Sequence, residues 1–148
     1  MTGVPPGHRH TMPFVLDASV VLAWALPDEK SEVADRIIRR VAEDRVFAPS
    51  LLLLEVGNAL LQAERSGRID SAARLEMIGA FTTLPIMLEP VSGESMLRAG
   101  NIAADQSLSL YGGCYLEIAL ARGIPLATFD KALASAAGVV GVPLIDGG

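Results

Sequence analysis

Apolar residues follow two rhythms along this chain. Short unbroken runs at Phe14, Val15 and Leu16, at Val46, Phe47 and Ala48, and over 124–127 read as buried strands, with a further strand at 85–88. Between them the apolar positions recur at helical spacing. Over 31–43, for example, Val33, Ile37, Ile38 and Val41 share one face. A short helix capped near Ser19 runs to Leu26 and stops at Pro27. Pro49 and Ser50 open a long helix to about Arg65, which Ser66 and Gly67 terminate. Asp70 caps a helix to about Thr83, and Ser92 or Gly93 begins one to about Ser107. Helices follow over 111–121, stopped by Arg122 and Gly123, and over 130–137. A last strand at 142–145 belongs at a sheet edge, because Pro143 has no N–H for a ladder.

Short apolar strands alternating with helices predict an α/β fold: a parallel sheet of four to five strands with helices on both faces. Residues 13–148 read as one domain, with no repeat or linker, and residues 1–12 as a disordered leader. In such sheets ligands collect at the carboxyl ends of the strands. Asp17 stands at the end of the first strand and Asp130 just beyond the fourth. Taken singly, turn formation or helix capping accounts for either. Glu55 is less ordinary, because it interrupts the run Leu51 to Val56 inside a helix, where an unpaired carboxylate is costly. Asn58 and Gln62 share its face, so the reading is either a narrow solvated stripe or a polar strip lining a cleft. Three acids collected in one cleft repel one another unless a cation binds, and oxygen-rich clusters suit Mg²⁺ or Mn²⁺. Such ions serve phosphodiester cleavage.

Composition narrows the alternatives. The 148 residues are 51% hydrophobic and 20% charged, enough for one folded core. No apolar run is long enough to span a bilayer and no secretory signal is visible, so the expected location is cytoplasmic. One cysteine, Cys114, excludes a disulfide framework and a multi-cysteine zinc site. A net charge of −5 argues against broad phosphate gripping but not against a nuclease whose carboxylates hold cations. Arg36, Arg39 and Arg40, and again Arg65 and Arg68, read as solvated helix faces. The two histidines, His8 and His10, both lie in the leader, which leaves no histidine base in the domain. Trp24, Cys114 and Tyr115 sit among apolar residues at helical spacing and read as core.

Three stretches together resemble successive motifs of the PIN-domain, VapC-like toxin ribonucleases. They are Val15 to Ser19, Pro49 and Ser50 with Glu55 to Leu60, and Ala127 to Asp130. The likeness extends over nearly the whole chain from Phe14. It implies a Mg²⁺- or Mn²⁺-dependent endoribonuclease that acts on RNA, forms a homodimer and is restrained by a cognate antitoxin protein. It assigns Asp17, Glu55 and Asp130 to acidic catalytic and metal-binding positions, with Ser19, Asn58 and Thr128 as supporting polar residues.

One departure stands out. Where the family has a stretch like Tyr-Asp-Ala-Ala-Tyr, this chain has Tyr111, Gly112, Gly113, Cys114 and Tyr115, so Gly112 replaces the third acidic residue. Glu117 lies about 140° further around the helix and should face elsewhere. Asp105 precedes the helix and is the other candidate substitute. Two glycines in a helix also cost roughly 1 kcal/mol each relative to alanine, with no evident structural return. The expectation is therefore an impaired or inactive nuclease, the alternative a non-catalytic PIN-fold binding protein. Two other acidic-pocket families fit worse. A haloacid-dehalogenase-like phosphatase needs an aspartate where Ser19 stands. A receiver domain needs more acids beside its first strand and a better-placed lysine than Lys131.

Overall fold

The computed structural model describes residues 12–146. Apart from Met12, the expected leader lies outside the described residues. The elements run β1 (Phe14–Leu16), α1 (Ala18–Ala25), a 3-10 turn (Pro27–Glu29), α2 (Glu32–Val41), β2 (Val46–Pro49), α3 (Leu51–Arg65) and α4 (Ser71–Thr82). They continue with β3 (Ile86–Glu89), α5 (Gly93–Gln106), α6 (Leu110–Arg122), β4 (Leu126–Ala127) and α7 (Lys131–Val140). The strands form a four-stranded sheet in the order β3-β2-β1-β4 with every pairing parallel. The expected α/β class and parallel sheet are therefore present.

β1 and β2 are buried along their whole length, which requires cover on both faces of the sheet. That is why their sequences are unbroken apolar runs rather than alternating ones. Phe14, Leu16, Leu52, Leu60, Leu116 and Leu126 are among the fully buried side chains. Each contributes about 1.5–3 kcal/mol through removal from water. The helix starts follow their capping residues. Ser31 accepts from Ala34 N at 3.1 Å, Asp70 from Ala73 N at 2.7 Å, and Asp130 from Leu133 N at 3.0 Å. Ser92 and Ser95 form a reciprocal capping box at the start of α5.

Three expectations are corrected. Ser19 is not a cap: α1 begins at Ala18, Asp17 occupies the cap position without side-chain capping, and Ser19 is inside the helix. The fifth strand reduces to a single parallel bridge between Leu126 and Leu144. Leu126 N donates to Pro143 O and Ile145 N to Leu126 O, both at 2.9 Å. Pro143 supplies a carbonyl but no N–H, so the pairing does not extend. Third, one of the two adjacent glycines has a clear structural return. A Cβ on Gly113 would run into the Ala99 carbonyl oxygen and lie 3.1 Å from Ala103 Cβ, so its absence lets α6 approach α5 closely. Gly112 has no such requirement; a Cβ there would meet Leu108 and Ser109 at ordinary contact distances of 3.6–3.8 Å.

Candidate active site

Because all strands are parallel, the residues after β1, β2 and β4 emerge at one edge of the sheet. Asp17 follows β1 directly, and Thr128 and Asp130 follow β4, its neighbour. The two ends are tied together. Asp17 N donates to Ala127 O at 3.0 Å. Asp17 is only 7% exposed, and its Oδ2 accepts two hydroxyl protons, from Ser19 Oγ at 2.6 Å and Thr128 Oγ1 at 2.7 Å. Both hydroxyls thereby commit their single proton to Asp17. Their oxygens remain acceptors, Ser19 Oγ for Phe129 N at 2.9 Å and Thr128 Oγ1 for Asp130 N at 3.0 Å. Ser19 and Thr128 thus brace Asp17 and the loop carrying Asp130 at once.

Glu55 comes from the second turn of α3, which starts after β2. It is half-buried, and its Oε1 accepts the phenol of Tyr115 at 2.6 Å. Burial pushes its carboxyl up from the ordinary 4.5; the Tyr115 hydrogen bond opposes this, and the charges of Asp17 and Asp130 add to the upward shift. Asp17 and Asp130 therefore both act on Glu55, although the three come from separate stretches of chain. Burial, followed by the bond to Glu55, also drives the Tyr115 phenol far above its usual value, so it stays a proton donor.

Each of the three carboxylates has one oxygen held by the protein: Asp17 Oδ2, Glu55 Oε1 and Asp130 Oδ1. The other oxygen of each accepts no protein hydrogen bond among the described residues. Hard carboxylate oxygens suit a hard divalent cation. Yet among the described residues no three acidic, histidine or cysteine side chains are gathered closely enough to hold an ion. A divalent cation here would be shared by one or two of these carboxylates with water and substrate phosphate, and not enclosed in a protein cage.

The remaining candidates divide. Asn58 is exposed and makes no hydrogen bond to the acids. Gly112 lies in the first turn of α6, one turn before Tyr115 and on the same side of the helix, so an acid at this position would extend the face that touches Glu55. Glu117 faces away as expected. It is 8% exposed and accepts from Arg98 Nε at 3.0 Å, in a separate hollow of ≈ 310 Å³ that Arg122 and Glu89 also line. Asp105 is exposed and shares no hydrogen bond with the three acids. Cys114 is buried as expected; burial, with Glu117 and Glu55 nearby, pushes its thiol up, which leaves it a poor nucleophile. Trp24 is only partly core: it lines an open hollow of ≈ 320 Å³ with Met77, Lys30 and Glu76. The basic clusters are partly neutralised, Arg40 by Asp44 and Arg68 by Asp28 and Glu29. Tyr115 is in the core as its spacing predicts, and its hydroxyl also reaches Glu55, which the spacing did not show. Its only local signal is a phenol placed in a buried helix, where a hydroxyl requires a partner.

Glu55 offers a stability test. Its folded form holds a proton more tightly than an unfolded glutamate, so its favourable contribution is complete below the ordinary value and is lost as pH rises through the raised one. Glu55→Gln removes the burdened charge yet keeps an oxygen for Tyr115. With chelator present, this variant should melt above the parent at neutral pH. The gain is no more than about 1 kcal/mol after solvent screening, or about 2–4 °C. The advantage should vanish as pH falls to about 4. Equal melting temperatures across that range would mean the charge of Glu55 is not strained.

The chain is an α/β protein whose parallel sheet carries acidic side chains at its carboxyl edge. The PIN domain family model matches residues 14–139. Ribonuclease VapC3 of Pyrobaculum aerophilum is 30% identical over 127 residues, covering 83% of this chain and 93% of that protein. The crystal structure of PAE2754 from Pyrobaculum aerophilum superimposes with a TM-score of 0.63 at 24% identity, covering 84% of each chain. VapC20 of Mycobacterium tuberculosis, described as a sarcin-ricin loop cleaving toxin, gives 0.60 at 16% identity over 83% of this chain and 94% of that one. VapBC2 of Rickettsia felis gives 0.66 at 10% identity over 90% and 98%. The chain belongs to the PIN domain family, among its VapC-type toxins. Among the described residues no helix is long and apolar enough to cross a membrane.

Proposed function

We propose that this chain is a metal-dependent endoribonuclease toxin of a VapC-type toxin–antitoxin pair, impaired because Gly112 stands where an acid is needed. The observation that carries the reading is the placement of Asp17, Glu55 and Asp130, each with one oxygen braced by the protein and one left over, with the charges of Asp17 and Asp130 acting on Glu55. From the set Asp17, Glu55 and Asp130, one or two carboxylates would hold Mg²⁺ or Mn²⁺ directly, with water and substrate phosphate completing its shell. When bound, the ion supplies charge neutralisation at a phosphoryl oxygen and a route to hydroxide at moderate pH. Ser19 and Thr128 orient Asp17 by donating to its Oδ2. Tyr115 cannot readily act as a base, because burial and its bond to Glu55 hold its proton.

The relatives described as toxin–antitoxin structures support an antitoxin partner; an RNA substrate, a homodimer and a cytoplasmic location complete the same reading. A second reading, a non-catalytic PIN-fold binding protein, is favoured by the absence of a carboxylate at Gly112 and of any closely gathered acid trio among the described residues.

RNA cleavage with Mg²⁺, Mn²⁺ or chelator, by the parent and by Asp17→Asn, tests the assignment. Metal-dependent cleavage that falls at least roughly 100-fold in Asp17→Asn is expected, in the parent or in its Gly112→Asp derivative. Cleavage that survives both Asp17→Asn and chelator would locate the chemistry elsewhere.

A further inference from the structure

Glu55 is a half-buried side chain with several rotatable bonds on α3, whose neighbour at the next turn, Asn58, is exposed. Asp17 and Asp130 both push against its charge. One hydrogen bond among the described residues holds its carboxylate against that repulsion. The Tyr115 ring is 1% exposed and therefore locked in place by packing, and its hydroxyl donates to Glu55 Oε1 at 2.6 Å. If Tyr115 only filled the core, phenylalanine would serve as well, and a buried hydroxyl would add a group in need of a partner. The bond spans 60 positions in the sequence and links α3 to α6, the helix that carries Gly112.

We propose that Tyr115 is a positioning residue that holds Glu55 in its inward conformation and leaves Oε2 for a cation. This rests on the reading of Asp17, Glu55 and Asp130 as the cation-binding acids. Tyr115 touches neither substrate nor ion. It reduces the conformational freedom Glu55 would otherwise lose on binding, and so raises affinity without adding a ligand. The device matters more in this chain than in a four-acid relative, because at Gly112 no further carboxylate shares the load.

The test is Mn²⁺ binding followed by calorimetry and by the electron paramagnetic resonance of the free ion. It compares the parent, Tyr115→Phe, Asp17→Asn, Glu55→Gln and the double variant Tyr115→Phe with Glu55→Gln, each also in a Gly112→Asp background. Tyr115→Phe keeps the ring and is expected to weaken Mn²⁺ binding roughly 10–100-fold, the usual consequence of losing a partner of a ligand. Its melting temperature in chelator should stay near that of the parent. In the Glu55→Gln background the same change should have no further effect on binding, because it acts through Glu55. Unchanged affinity in Tyr115→Phe, while Asp17→Asn weakens binding, would overturn the positioning role and leave the site intact. A loss that adds to that of Glu55→Gln would overturn it too. No Mn²⁺ binding in any protein, or binding indifferent to Asp17→Asn, would overturn the cation site and this inference with it.

Discussion

With Mn²⁺ present, Gly112→Asp should cleave RNA faster than the parent by at least the roughly 10–100-fold that losing even an outer partner of a metal ligand costs. Space, helix chemistry and charge all favour the change. A Cβ at position 112 meets only Leu108 and Ser109, at ordinary distances. The position is the third residue of α6, where Ser109 caps the Gly112 N–H at 3.2 Å and an acid is favoured by the helix dipole. The new carboxylate would lie on the side of α6 that presents Tyr115 to Glu55. Without metal, it adds repulsion to a site in which Asp17 and Asp130 already act on Glu55. The variant should therefore gain more thermal stability from Mn²⁺ than the parent does. Gly112→Asn, which adds similar bulk without charge, should restore much less. If Gly112→Asp binds Mn²⁺ no better and cleaves no faster, position 112 is not the missing ligand, and the binding-protein reading gains.

The neighbouring glycine should respond in the opposite way. Gly113→Ala is expected to destabilise the protein by about 1–3 kcal/mol or more, with no activity gained. The added methyl would overlap the carbonyl oxygen of Ala99, a backbone atom that cannot swing aside, and press on Ala103. Relief requires moving α5 as a body, and α5 lies mainly against α6. Gly112→Ala serves as the control: it adds the same methyl one residue earlier and should be neutral or slightly stabilising, since alanine is the better helix former. Urea unfolding of the two single variants measures the contrast. A Gly113→Ala protein as stable as Gly112→Ala would show that the two helices do not need this close approach.

Much of the architecture was legible in the sequence because it is written in local chemistry. Unbroken apolar runs mark strands buried on both faces, and the matching segments became β1, β2 and β4. Ser31, Asp70, Ser92 and Asp130 mark helix starts because each side chain satisfies an N–H three residues on. Asp17 and Asp130 could be placed at one edge because parallel strands all end on the same side. The gap at Gly112 was equally visible, since a glycine presents no ligand whatever surrounds it.

Other features were decided by contacts between distant segments. Ser19 looked like a cap by composition, but its hydroxyl is drawn to Asp17 and to the loop after β4. Tyr115 has the spacing of a core residue and is one, and only the approach of α3 reveals what its hydroxyl holds. The adjacent glycines read alike as unrewarded helix breakers until α5 is laid against α6, which makes Gly113 a packing requirement and leaves room for a side chain at Gly112. The physical reason is one of range. Periodicity and capping depend on neighbours within one or two turns. Burial of a polar group, repulsion between acids and the fit of two helices depend on atoms brought together only when the chain closes on itself.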